Sequence, residues 1–332
     1  MVSVKVKPFF TALEQHGQLH EDVMVVTNDL TSSCEADGFA NKFPDRYISA
    51  GMAEQSLVLT LAGLAREGFK PIYPSFAVFT TRRPYEQIAL TIAYPNLPVR
   101  LFGFLPGLTT PGGVSHQAID DLGLMRALPN MTVIETADST DMESILEATY
   151  KLQGPVYVRS LRGNVPTHFK EPITIGRCRN IFDGKEVLVL VSGSLTSMAI
   201  ETIEALRHSY PELGLICVNT LKPFNDAFLF TRIAAVSTVI TLENHLVATG
   251  LASTVAMYLA TNPGPRLIPM GISDTFTHGG STDYLFNYYN LGSKHLTFEI
   301  KKAFGELGDI SKISSKNMNS KPTLTENVAE GL

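Results

Sequence analysis

The residues of this sequence that could do chemistry begin with one acid and two aromatic residues near the start of the chain. Glu54 stands between a predicted strand and an apolar helix, directly after the small residues Gly51 and Ala53. An acid in the first turn of a helix commonly interacts with the positive end of the helix dipole, and it can also handle a proton in catalysis. Phe76 and Phe79, at the end of the next strand, either pack in a core or offer a stacking face. Spacing alone leaves both alternatives open for each group.

Three further candidates lie in loops. His116 occurs in GGVSHQ, Arg162 occurs in SLRGN, and Ser33 follows NDLTS. A histidine can transfer protons near neutral pH, and an arginine presents a planar set of donors that suits a phosphate. A lone histidine is more often a structural hydrogen-bonding residue, and serines are common in turns. These residues therefore need a further argument before they receive roles.

Other known site patterns are missing from the sequence. Neither G-x-G-x-x-G nor G-x-x-x-x-G-K-[ST] occurs, so the chain shows no phosphate-binding loop of its own, and Gly193 after a predicted strand indicates a tight turn. Cys34, Cys178 and Cys217 lie far apart without metal-ligand spacing. We interpret them as buried core residues in a protein from a reducing compartment, and the sequence predicts no metal ligands.

Composition limits the class of protein further. The 332 residues, 44% of them hydrophobic, are enough for two globular domains. With 27 basic and 32 acidic residues the formal net charge is −5. The sequence has no stripe of basic residues of the kind that binds a nucleic acid, so we expect no nucleic-acid partner. No apolar run approaches the roughly 20 residues that span a bilayer, and the start lacks the apolar segment of a secretory signal. We expect a soluble cytoplasmic protein without a membrane partner.

The elements that must position the candidate residues alternate between apolar runs and helical patterns, which predicts an α/β fold with largely parallel sheets. Predicted strands of the first half cover residues 23–27, 46–50, 70–74, 99–104, 131–136 and 155–160. Predicted helices between them cover 55–68, 83–94 and 139–152, with Ser139 or Thr140 as the cap of the last one. The candidate residues mostly follow the ends of these strands.

A second α/β series follows a stretch rich in Gly, Pro and isolated polar residues, which we interpret as a linker. The prediction is a first doubly wound domain over residues 1–165, a linker over 166–183 and a second doubly wound domain over 184–311. Residues 312–332 are polar, without periodic apolar positions, and are predicted to form a flexible tail.

Several motifs, taken together, resemble one family. GMAEQ, YPSFAVFTTRRPYEQ, GGVSHQAIDDLGLMRALPNM and GPVYVRSLRGNVP, in this order, are similar to the pyrimidine-binding domain of the transketolase family. VLVSGSLTSMAIETIEAL, VNTLKPF and LENHLVATGLASTVA resemble the C-terminal domain of the same family. The family's diphosphate-binding domain, with its GDG…N magnesium motif, has no counterpart in this sequence. The chain thus resembles the C-terminal subunit of a split transketolase.

The resemblance implies roles for the first group of candidates. Glu54 matches the glutamate that hydrogen-bonds the pyrimidine N1′ of thiamine diphosphate and acts in catalysis. Phe79 matches the aromatic residue that stacks on the pyrimidine, with Phe76 beside it, and Arg82 completes the implied cofactor-binding set.

The loop residues take substrate-facing roles by the same resemblance. His116 matches a histidine that faces the substrate and can donate a hydrogen bond or transfer a proton. Arg162 matches an arginine that binds the phosphate of the sugar, and Ser33 matches a serine that helps to hold it. The implied partner is an N-terminal subunit. By resemblance, the magnesium ion and the diphosphate group of the cofactor are bound mainly by that subunit, in an α₂β₂ assembly.

The sequence also departs from the family. Gly112 replaces an aspartate that contacts sugar hydroxyls, and residues 104–112 lack the usual upstream histidine. Lys5 and Lys7 stand where an arginine is often found. These changes leave the implied cofactor residues in place but alter the groups that face the sugar, so the substrate is expected to differ from the standard pentose-pathway sugars.

Three functions follow from these observations. The first is a transketolase subunit that transfers a two-carbon ketol unit from a ketose phosphate to an aldose phosphate. The second is 2-oxoacid decarboxylation, as in the decarboxylating subunits of oxoacid dehydrogenases or in deoxyxylulose phosphate synthase. The third is a non-catalytic assembly subunit, which the joint presence of Glu54, Phe79 and His116 disfavours. Glu243 and His245 in LENH are interpreted as structural or interfacial, and His278 in THGGS receives no role.

Overall fold

The computed structural model describes residues 2–306, so the predicted tail at 312–332 lies outside the described residues. In chain order the strands are β1 (Val4–Val6), β2 (Val23–Thr27), β3 (Tyr47–Ser49), β4 (Lys70–Phe76), β5 (Arg100–Phe104), β6 (Thr132–Glu135), β7 (Val156–Ser160), β8 (Asn164–Pro166), β9 (Arg179–Phe182), β10 (Val187–Val191), β11 (Leu213–Cys217), β12 (Thr220–Lys222), β13 (Thr238–Leu246) and β14 (Arg266–Ile272). The helices are α1 (Pro8–Leu19), α2 (Asp37–Lys42), α3 (Glu54–Arg66), α4 (Ala77–Thr81), α5 (Tyr85–Gln87), α6 (Asp121–Ala127), α7 (Ser139–Tyr150), α8 (Thr196–Leu206), α9 (Ala227–Ala234), α10 (Leu251–Thr261), α11 (Thr282–Tyr288) and α12 (Ser293–Ala303).

The first half forms a seven-stranded sheet in the order β12-β6-β7-β5-β4-β2-β3. The pairings from β6 to β3 are all parallel, and β12 joins the edge antiparallel to β6. Every residue of β2, β5 and β7 is buried, as expected for strands covered by helices on both faces. The carboxyl ends of β2 to β7 therefore meet at one edge.

The second half forms a five-stranded sheet in the order β14-β13-β10-β11-β9, parallel except for β9. Strands β1 and β8 form a separate antiparallel pair. The predicted α/β class with two mostly parallel, doubly wound sheets is confirmed. The domain limits stay a prediction, and the stretch interpreted as a linker contains β9, which belongs to the second sheet.

The two sheets are tied together by a shared strand and a shared core. Strand β12 comes from the second half of the chain but pairs with the first sheet through Thr220 and Ile134. One buried apolar cluster contains residues of both halves, among them Leu57 and Ile88 from the first and Leu229 and Val255 from the second. The halves therefore pack as neighbours with a common hydrophobic core.

Two local details differ from the sequence-based picture. Helix α7 is capped by the side chain of Asp138, which accepts a hydrogen bond from Asp141 N, so the prediction of Ser139 or Thr140 as cap is wrong. The predicted helix at 83–94 is α5 continued by a π-helical turn at Ile88–Ala93. None of the helices within residues 2–306 has both the length and the apolar character needed to cross a membrane.

Candidate active site

The predicted site residues gather at the carboxyl edge of the first sheet. Ser33 follows β2, Glu54 follows β3, Phe79 follows β4, His116 follows β5 and Arg162 follows β7. In an open α/β sheet the carboxyl ends of parallel strands form the crevice where ligands bind. The topology thus brings together loops that are more than a hundred residues apart in sequence.

Glu54 is the first residue of α3 and is only 5% exposed. Asn28 Nδ2, just after β2, donates a hydrogen bond to Glu54 Oε1 at 3.1 Å, and an Arg83 guanidinium nitrogen donates to the same oxygen at 2.6 Å. Within residues 2–306, no hydrogen bond reaches Oε2. The carboxylate is therefore fixed through one oxygen and keeps the other as an acceptor.

Gly51 makes the turn that delivers Glu54 to this position. Its φ of +68° lies in the left-handed region, which glycine adopts without strain. The preceding residue, Ala50, donates its N–H to Thr27 O at 2.9 Å and so anchors the turn to the end of β2. The chain then reverses into α3 with Glu54 at the positive end of the helix dipole.

Phe76, Phe79 and His116 form a ring cluster that Arg83 connects to this carboxylate. The centres of the two phenyl rings are 5.9 Å apart, and the His116 ring meets Phe79 edge-on at 5.4 Å. The two phenylalanines and His116 are each partly exposed. The cluster therefore keeps accessible faces, unlike aromatic residues enclosed in a core.

The loop that carries His116 is held by the second half of the chain. Gln117 Nε2 donates to Thr110 O at 3.0 Å and to His278 O at 3.2 Å, and Thr277 Oγ1 donates to Gln117 Oε1 at 2.5 Å. His278 itself contacts Tyr289 through its ring nitrogen Nδ1 at 2.8 Å. His278, which received no role from the sequence, thus belongs to the segment that fixes the His116 loop.

The two neighbouring arginines of this site have different partners. Arg82, assigned to the cofactor by resemblance, forms a two-pronged pair with Asp120, with its Nε 2.9 Å from Oδ1 and 3.1 Å from Oδ2. Arg83 contacts Glu54 instead, and its guanidinium lies 4.1 Å from the centre of the Phe79 ring. Sequence reasoning missed Arg83, which follows Arg82 in the turn after α4.

Asn28 is the second residue that sequence reasoning missed. It directly follows the fully buried strand β2, is itself buried, and directs Nδ2 at Glu54 while its Oδ1 has no hydrogen-bond partner in the described part of the chain. A polar residue at the carboxyl end of a buried parallel strand is the signal that could have identified it.

Arg162 lies near Phe76, in the loop after β7. The exposed Arg162 guanidinium is 6.0 Å from the centre of the Phe76 ring. It lines an open cleft of about 160 Å³ that Ser194 and Ser197 of the second half also line. Ser33 occupies the turn after β2, with no side-chain hydrogen bond inside residues 2–306.

Glu35 joins the Ser33 loop to the Arg162 loop. The buried Glu35 accepts a hydrogen bond from Gly163 N at 2.8 Å, directly beside Arg162. Burial raises the pKa of Glu35, although the backbone hydrogen bonds from Gly163 and Phe10 oppose that change. The two loops are therefore positioned by one carboxyl group.

A second charged cluster fills the seam between the two sheets. The Arg159 side chain, 0% exposed, donates to Asp121 Oδ2, to Glu135 Oε1, to Ala118 O and to Asn244 O, each at 2.9 Å. Tyr157 also donates to Asp121 Oδ2, at 2.6 Å. Coulombic attraction to Asp121 and Glu135 outweighs burial and raises the pKa of Arg159. This cluster joins β7, β6 and α6 to β13.

Glu243 and His245 belong to the same seam, in line with the structural role that the sequence predicts. Glu243 accepts hydrogen bonds from Leu251 N at 2.6 Å and Ala252 N at 2.8 Å, at the start of α10. His245 Nε2 accepts from Leu122 N at 3.2 Å, so its Nδ1–H donates to Leu246 O at 3.0 Å. Burial lowers the pKa of His245 to about 4 and keeps the ring neutral. Both residues hold backbone groups in place.

Two parts of the chain match known protein families. Residues 7–167 match the family described as transketolase, pyrimidine binding domain, and residues 176–296 match transketolase, C-terminal domain. The chain belongs to the transketolase family. Members of this family use thiamine diphosphate. The chain matches its pyrimidine-binding and C-terminal domains, as the sequence motifs predict.

Relatives are found in several organisms, and two of the three described in this paragraph match over most of their own length. A transketolase family protein from Sinorhizobium fredii is 35% identical over 90% of this chain and 88% of its own length. A 6-deoxy-6-sulfo-D-fructose transketolase subunit from Clostridium sp. is 30% identical over 87% of this chain and 95% of its own length. A 1-deoxy-D-xylulose-5-phosphate synthase from Chlorobaculum tepidum is 31% identical over 88% of this chain but only 47% of its own length.

Solved structures show the same fold. A split-gene transketolase, described as an inactive beta4 tetramer, superposes with a TM-score of 0.81 at 33% identity and covers 90% of this chain and 97% of its own. A transketolase complex with sedoheptulose 7-phosphate from Pichia stipitis has a TM-score of 0.74 at 16% identity, over 91% of this chain and 46% of its own. The predicted transketolase-type fold is confirmed.

Proposed function

We propose that this chain is the subunit of a thiamine diphosphate-dependent transketolase that supplies the catalytic glutamate, Glu54. The reaction transfers a two-carbon ketol unit from a ketose phosphate to an aldose phosphate, and a partner subunit completes the site. One observation carries the proposal: buried Glu54 keeps a carboxylate oxygen, Oε2, without a partner in the described residues, and Arg83 links its other oxygen to the partly exposed ring of Phe79.

The residues at the site fit the pyrimidine half of the cofactor. Glu54 Oε2 is available to a ring nitrogen, Asn28 Oδ1 is buried without a partner in the described residues, and Phe79 presents an aromatic face. A flat heterocycle with a basic nitrogen and an amino group matches these three groups. Its nitrogen could share a proton with Glu54 Oε2, its amino group could donate to Asn28 Oδ1, and its face could stack on Phe79. When bound, thiamine diphosphate supplies the nucleophilic carbon for making and breaking the carbon–carbon bond.

Glu54 is proposed to offer the oxygen at which a proton is shared with the cofactor. Asn28 and Arg83 bind Oε1, so the carboxyl group cannot rotate and Oε2 stays directed away from them. A proton shared at Oε2 with a ring nitrogen changes the electronic state of the bound heterocycle, which is the protein's contribution to the cofactor's reactivity. Arg83 also covers the Phe79 ring, so Arg83 positions both groups.

His116 is proposed to donate to, or accept a proton from, the substrate. Ser115 Oγ donates to Gly112 O at 3.3 Å and lies 2.9 Å from His116 Nδ1, so we assign the proton between them to Nδ1. His116 Nε2 is then the basic nitrogen, and the described part of the chain offers it no partner. Its contact with Phe79, the proposed stacking residue, supports a role of His116 towards a substrate oxygen.

Arg162 and Ser33 are proposed to bind the anionic end of the sugar. The Arg162 guanidinium is exposed at the edge of the cleft, and Ser33 lies in the loop that Glu35 ties to Gly163. A guanidinium binds a tetrahedral oxyanion such as phosphate or sulfonate through paired hydrogen bonds. The relative named for 6-deoxy-6-sulfo-D-fructose makes a sulfonated sugar a second substrate to test beside the sugar phosphates.

The partner is proposed to be an N-terminal transketolase subunit. This chain matches only the pyrimidine-binding and C-terminal domains, and it lacks the GDG…N motif that binds magnesium and diphosphate in the family. The partner would hold the magnesium ion and the diphosphate while this chain holds the pyrimidine, in an α₂β₂ assembly. This chain alone is expected to be inactive.

The test is reconstitution with such a partner. The chain is coexpressed with a candidate subunit that contains GDG…N, and ketol transfer is measured with thiamine diphosphate and magnesium for wild type and for Glu54→Ala. We expect a stable complex and activity that Glu54→Ala abolishes. Equal turnover in both proteins would exclude the catalytic role of Glu54, and failure to associate with any such partner would exclude the split enzyme.

The relatives named 1-deoxy-D-xylulose-5-phosphate synthase support a second candidate reaction, in which a 2-oxoacid is decarboxylated and joined to an aldose phosphate. The same complex distinguishes the two reactions when it is supplied with pyruvate in place of the ketose phosphate. Release of carbon dioxide from pyruvate, with no turnover of ketose phosphates, would favour the synthase reaction. A complex that turns over neither donor would favour a non-catalytic assembly role.

A further inference from the structure

Three potential metal ligands converge where α1 packs on α7. His16 Nδ1 lies 2.5 Å from Glu147 Oε1, and His20 Nε2 lies 3.0 Å from the same oxygen. One ligand atom from each of the three residues lies within 4.8 Å of those of the other two. Two imidazoles four residues apart and one carboxylate form a ligand set that is typical of zinc.

The three side chains are held in place by their surroundings. The ring of His20 stacks on Tyr150 with centres 3.7 Å apart, and the ring of His16 meets Tyr150 edge-on at 5.3 Å. Arg46 donates to His20 O at 2.7 Å and fixes the backbone where α1 ends. One ring nitrogen of each histidine therefore already faces Glu147 Oε1 before an ion arrives.

The nearest other charges are of both signs, because the cations of Arg46 and Lys70 lie near His20 and Tyr150. Asp22 is the further acid of this region, and it accepts a hydrogen bond from Tyr150 at 2.9 Å. The Lys70 ammonium group lies 3.6 Å from the Asp22 carboxylate and is balanced by it. The Glu147 side chain is 50% exposed and that of His20 is 20% exposed, so an ion and a bound water can reach the ligands from solvent.

This cluster is separate from the candidate active site. His20 precedes β2, Tyr150 ends α7 before β7, and Lys70 begins β4, so the cluster lies at the amino edge of the first sheet. Glu54, Phe79 and His116 lie at the carboxyl edge. An ion bound at the amino edge is therefore distinct from the magnesium that accompanies the cofactor.

We propose that His16, His20 and Glu147 form a binding site for a divalent transition-metal ion of the zinc type, which clips α1 to α7. Zinc bonds to nitrogen and carboxylate oxygen at about 2.0–2.2 Å, so its tetrahedral ligand atoms are about 3.3 Å apart. The His20–Glu147 distance of 3.0 Å is close to this separation, and the His16–Glu147 distance of 2.5 Å needs to open by less than an ångström. A water molecule takes the fourth position.

The ligand types select the ion. Imidazole nitrogens suit zinc, copper, nickel and cobalt, whereas magnesium prefers six oxygen ligands and binds imidazole poorly. Millimolar magnesium, as used to assay the family's enzymes, should therefore leave zinc in place. The ion would stabilise the first half of the chain by joining two helices that the sequence separates by more than a hundred residues.

The experiment measures zinc binding by the full-length chain without an affinity tag. Equilibrium dialysis against Zn²⁺ alone is expected to give one ion per chain, and saturating Zn²⁺ is expected to raise the melting temperature by about 5 °C. Co²⁺ in place of Zn²⁺ should give the visible absorption bands of a tetrahedral site. His20→Gln and Glu147→Gln should each weaken zinc binding by about 100-fold or more and remove the shift in melting temperature.

A matched control separates the site from general affinity of histidines for zinc. His208→Gln removes an exposed histidine outside the cluster and should leave zinc stoichiometry and affinity unchanged. Circular dichroism verifies that His20→Gln and Glu147→Gln are folded; His16 is left intact because its side chain is only 3% exposed. The proposal is overturned if no stoichiometric zinc is retained, if His20→Gln binds like wild type, or if magnesium displaces the ion.

Discussion

Glu54 at the carboxyl edge of the first sheet and Asp121 at the seam are both buried carboxylates paired with an arginine. In each, one oxygen accepts two hydrogen bonds and the other accepts none in the described residues. The free oxygen of Asp121 is enclosed and lies 3.7 Å from the His245 ring, whereas Glu54 adjoins partly exposed rings. The carboxylate–arginine pair of Asp121 is enclosed and serves packing. The carboxylate–arginine pair of Glu54 lies next to accessible groups, so its second oxygen can serve chemistry.

The arginines show the same contrast. The Arg159 side chain is 0% exposed and uses its guanidinium on four acceptors, whereas that of Arg83 is 50% exposed and donates to Glu54. Breaking a buried ion pair costs about 3–5 kcal/mol because the remaining charge is left without a partner or water. A half-exposed pair contributes at most about 1 kcal/mol. Substitutions in the two regions should therefore affect different properties.

The largest expected effect is on catalysis. Glu54→Gln keeps the shape of the side chain but removes the carboxylate oxygen that shares the proton, so activity of the assembled enzyme should fall roughly 10²- to 10⁴-fold. The free energy of unfolding of the chain should change by less than about 1 kcal/mol, since Arg83 can be hydrated. Steady-state kinetics and urea unfolding measure the two quantities.

Glu86→Gln is the matched control for this substitution, because Glu86 is an exposed acid on the neighbouring helix α5. It should leave both activity and stability near wild type. If Glu54→Gln destabilised the chain by several kcal/mol while the assembled enzyme kept full activity, Glu54 would be a packing residue like Asp121, and the contrast between the two regions would disappear.

The second effect is on stability. Arg159→Met keeps much of the volume of the side chain but leaves Asp121 and Glu135 buried without their cation, so the free energy of unfolding should fall by about 3–5 kcal/mol. Urea unfolding of the chain measures this loss. A loss below about 1 kcal/mol would show that the seam does not depend on this ion pair. Arg159→Met combined with Asp121→Leu should be less damaging than the sum of the two single substitutions.

The layers of the fold were predictable from the sequence because they depend on local patterns. Largely apolar runs identified β2 with its observed limits at Val23–Thr27 and β7 within one residue, since strands buried on both faces are rich in apolar residues. Strand β12 was not predicted, because Thr220–Lys222 is short and its pairing with β6 depends on how the second half packs on the first. The pairing of strands that are distant in the sequence produces no local residue pattern from which it could be predicted.

The candidate site was also predictable only in part from the sequence. Motifs identified Glu54, Phe79 and His116 in segments that follow parallel strands, and the carboxyl ends of these strands lie at one edge of the sheet. The choice between Arg82 and Arg83 depended on how the turn after α4 directs two adjacent side chains, and only the structure shows Arg82 on Asp120 and Arg83 on Glu54. Asn28 also needed the structure, since its partner is 26 residues away.

The third prediction concerns pH and the seam. His245 has a folded-state pKa of about 4, below the ordinary 6.5, so the unfolded chain binds its proton first as the pH falls. The contribution of neutral His245 to the free energy of unfolding should therefore be fully present above about pH 6.5. It should decrease as the pH falls towards 4, by about 3 kcal/mol in total. His245→Gln does not titrate, so its stability should fall less over this window. Unfolding curves at several pH values measure the difference, and parallel losses in both proteins would contradict it.

The smallest effect should be seen at the aromatic face. Phe79→Ala removes the proposed stacking surface, which is worth about 1 kcal/mol, so the assembled enzyme should bind thiamine diphosphate about 5- to 10-fold more weakly. Phe228→Ala is the control, because Phe228 carries Arg232 over its ring at the same i,i+4 spacing but lies on α9. Phe79→Ala should also leave the chain folded, since Phe79 is partly exposed. Equal cofactor affinity in Phe79→Ala and wild type would assign Phe79 to packing and leave Glu54 without its stacking neighbour.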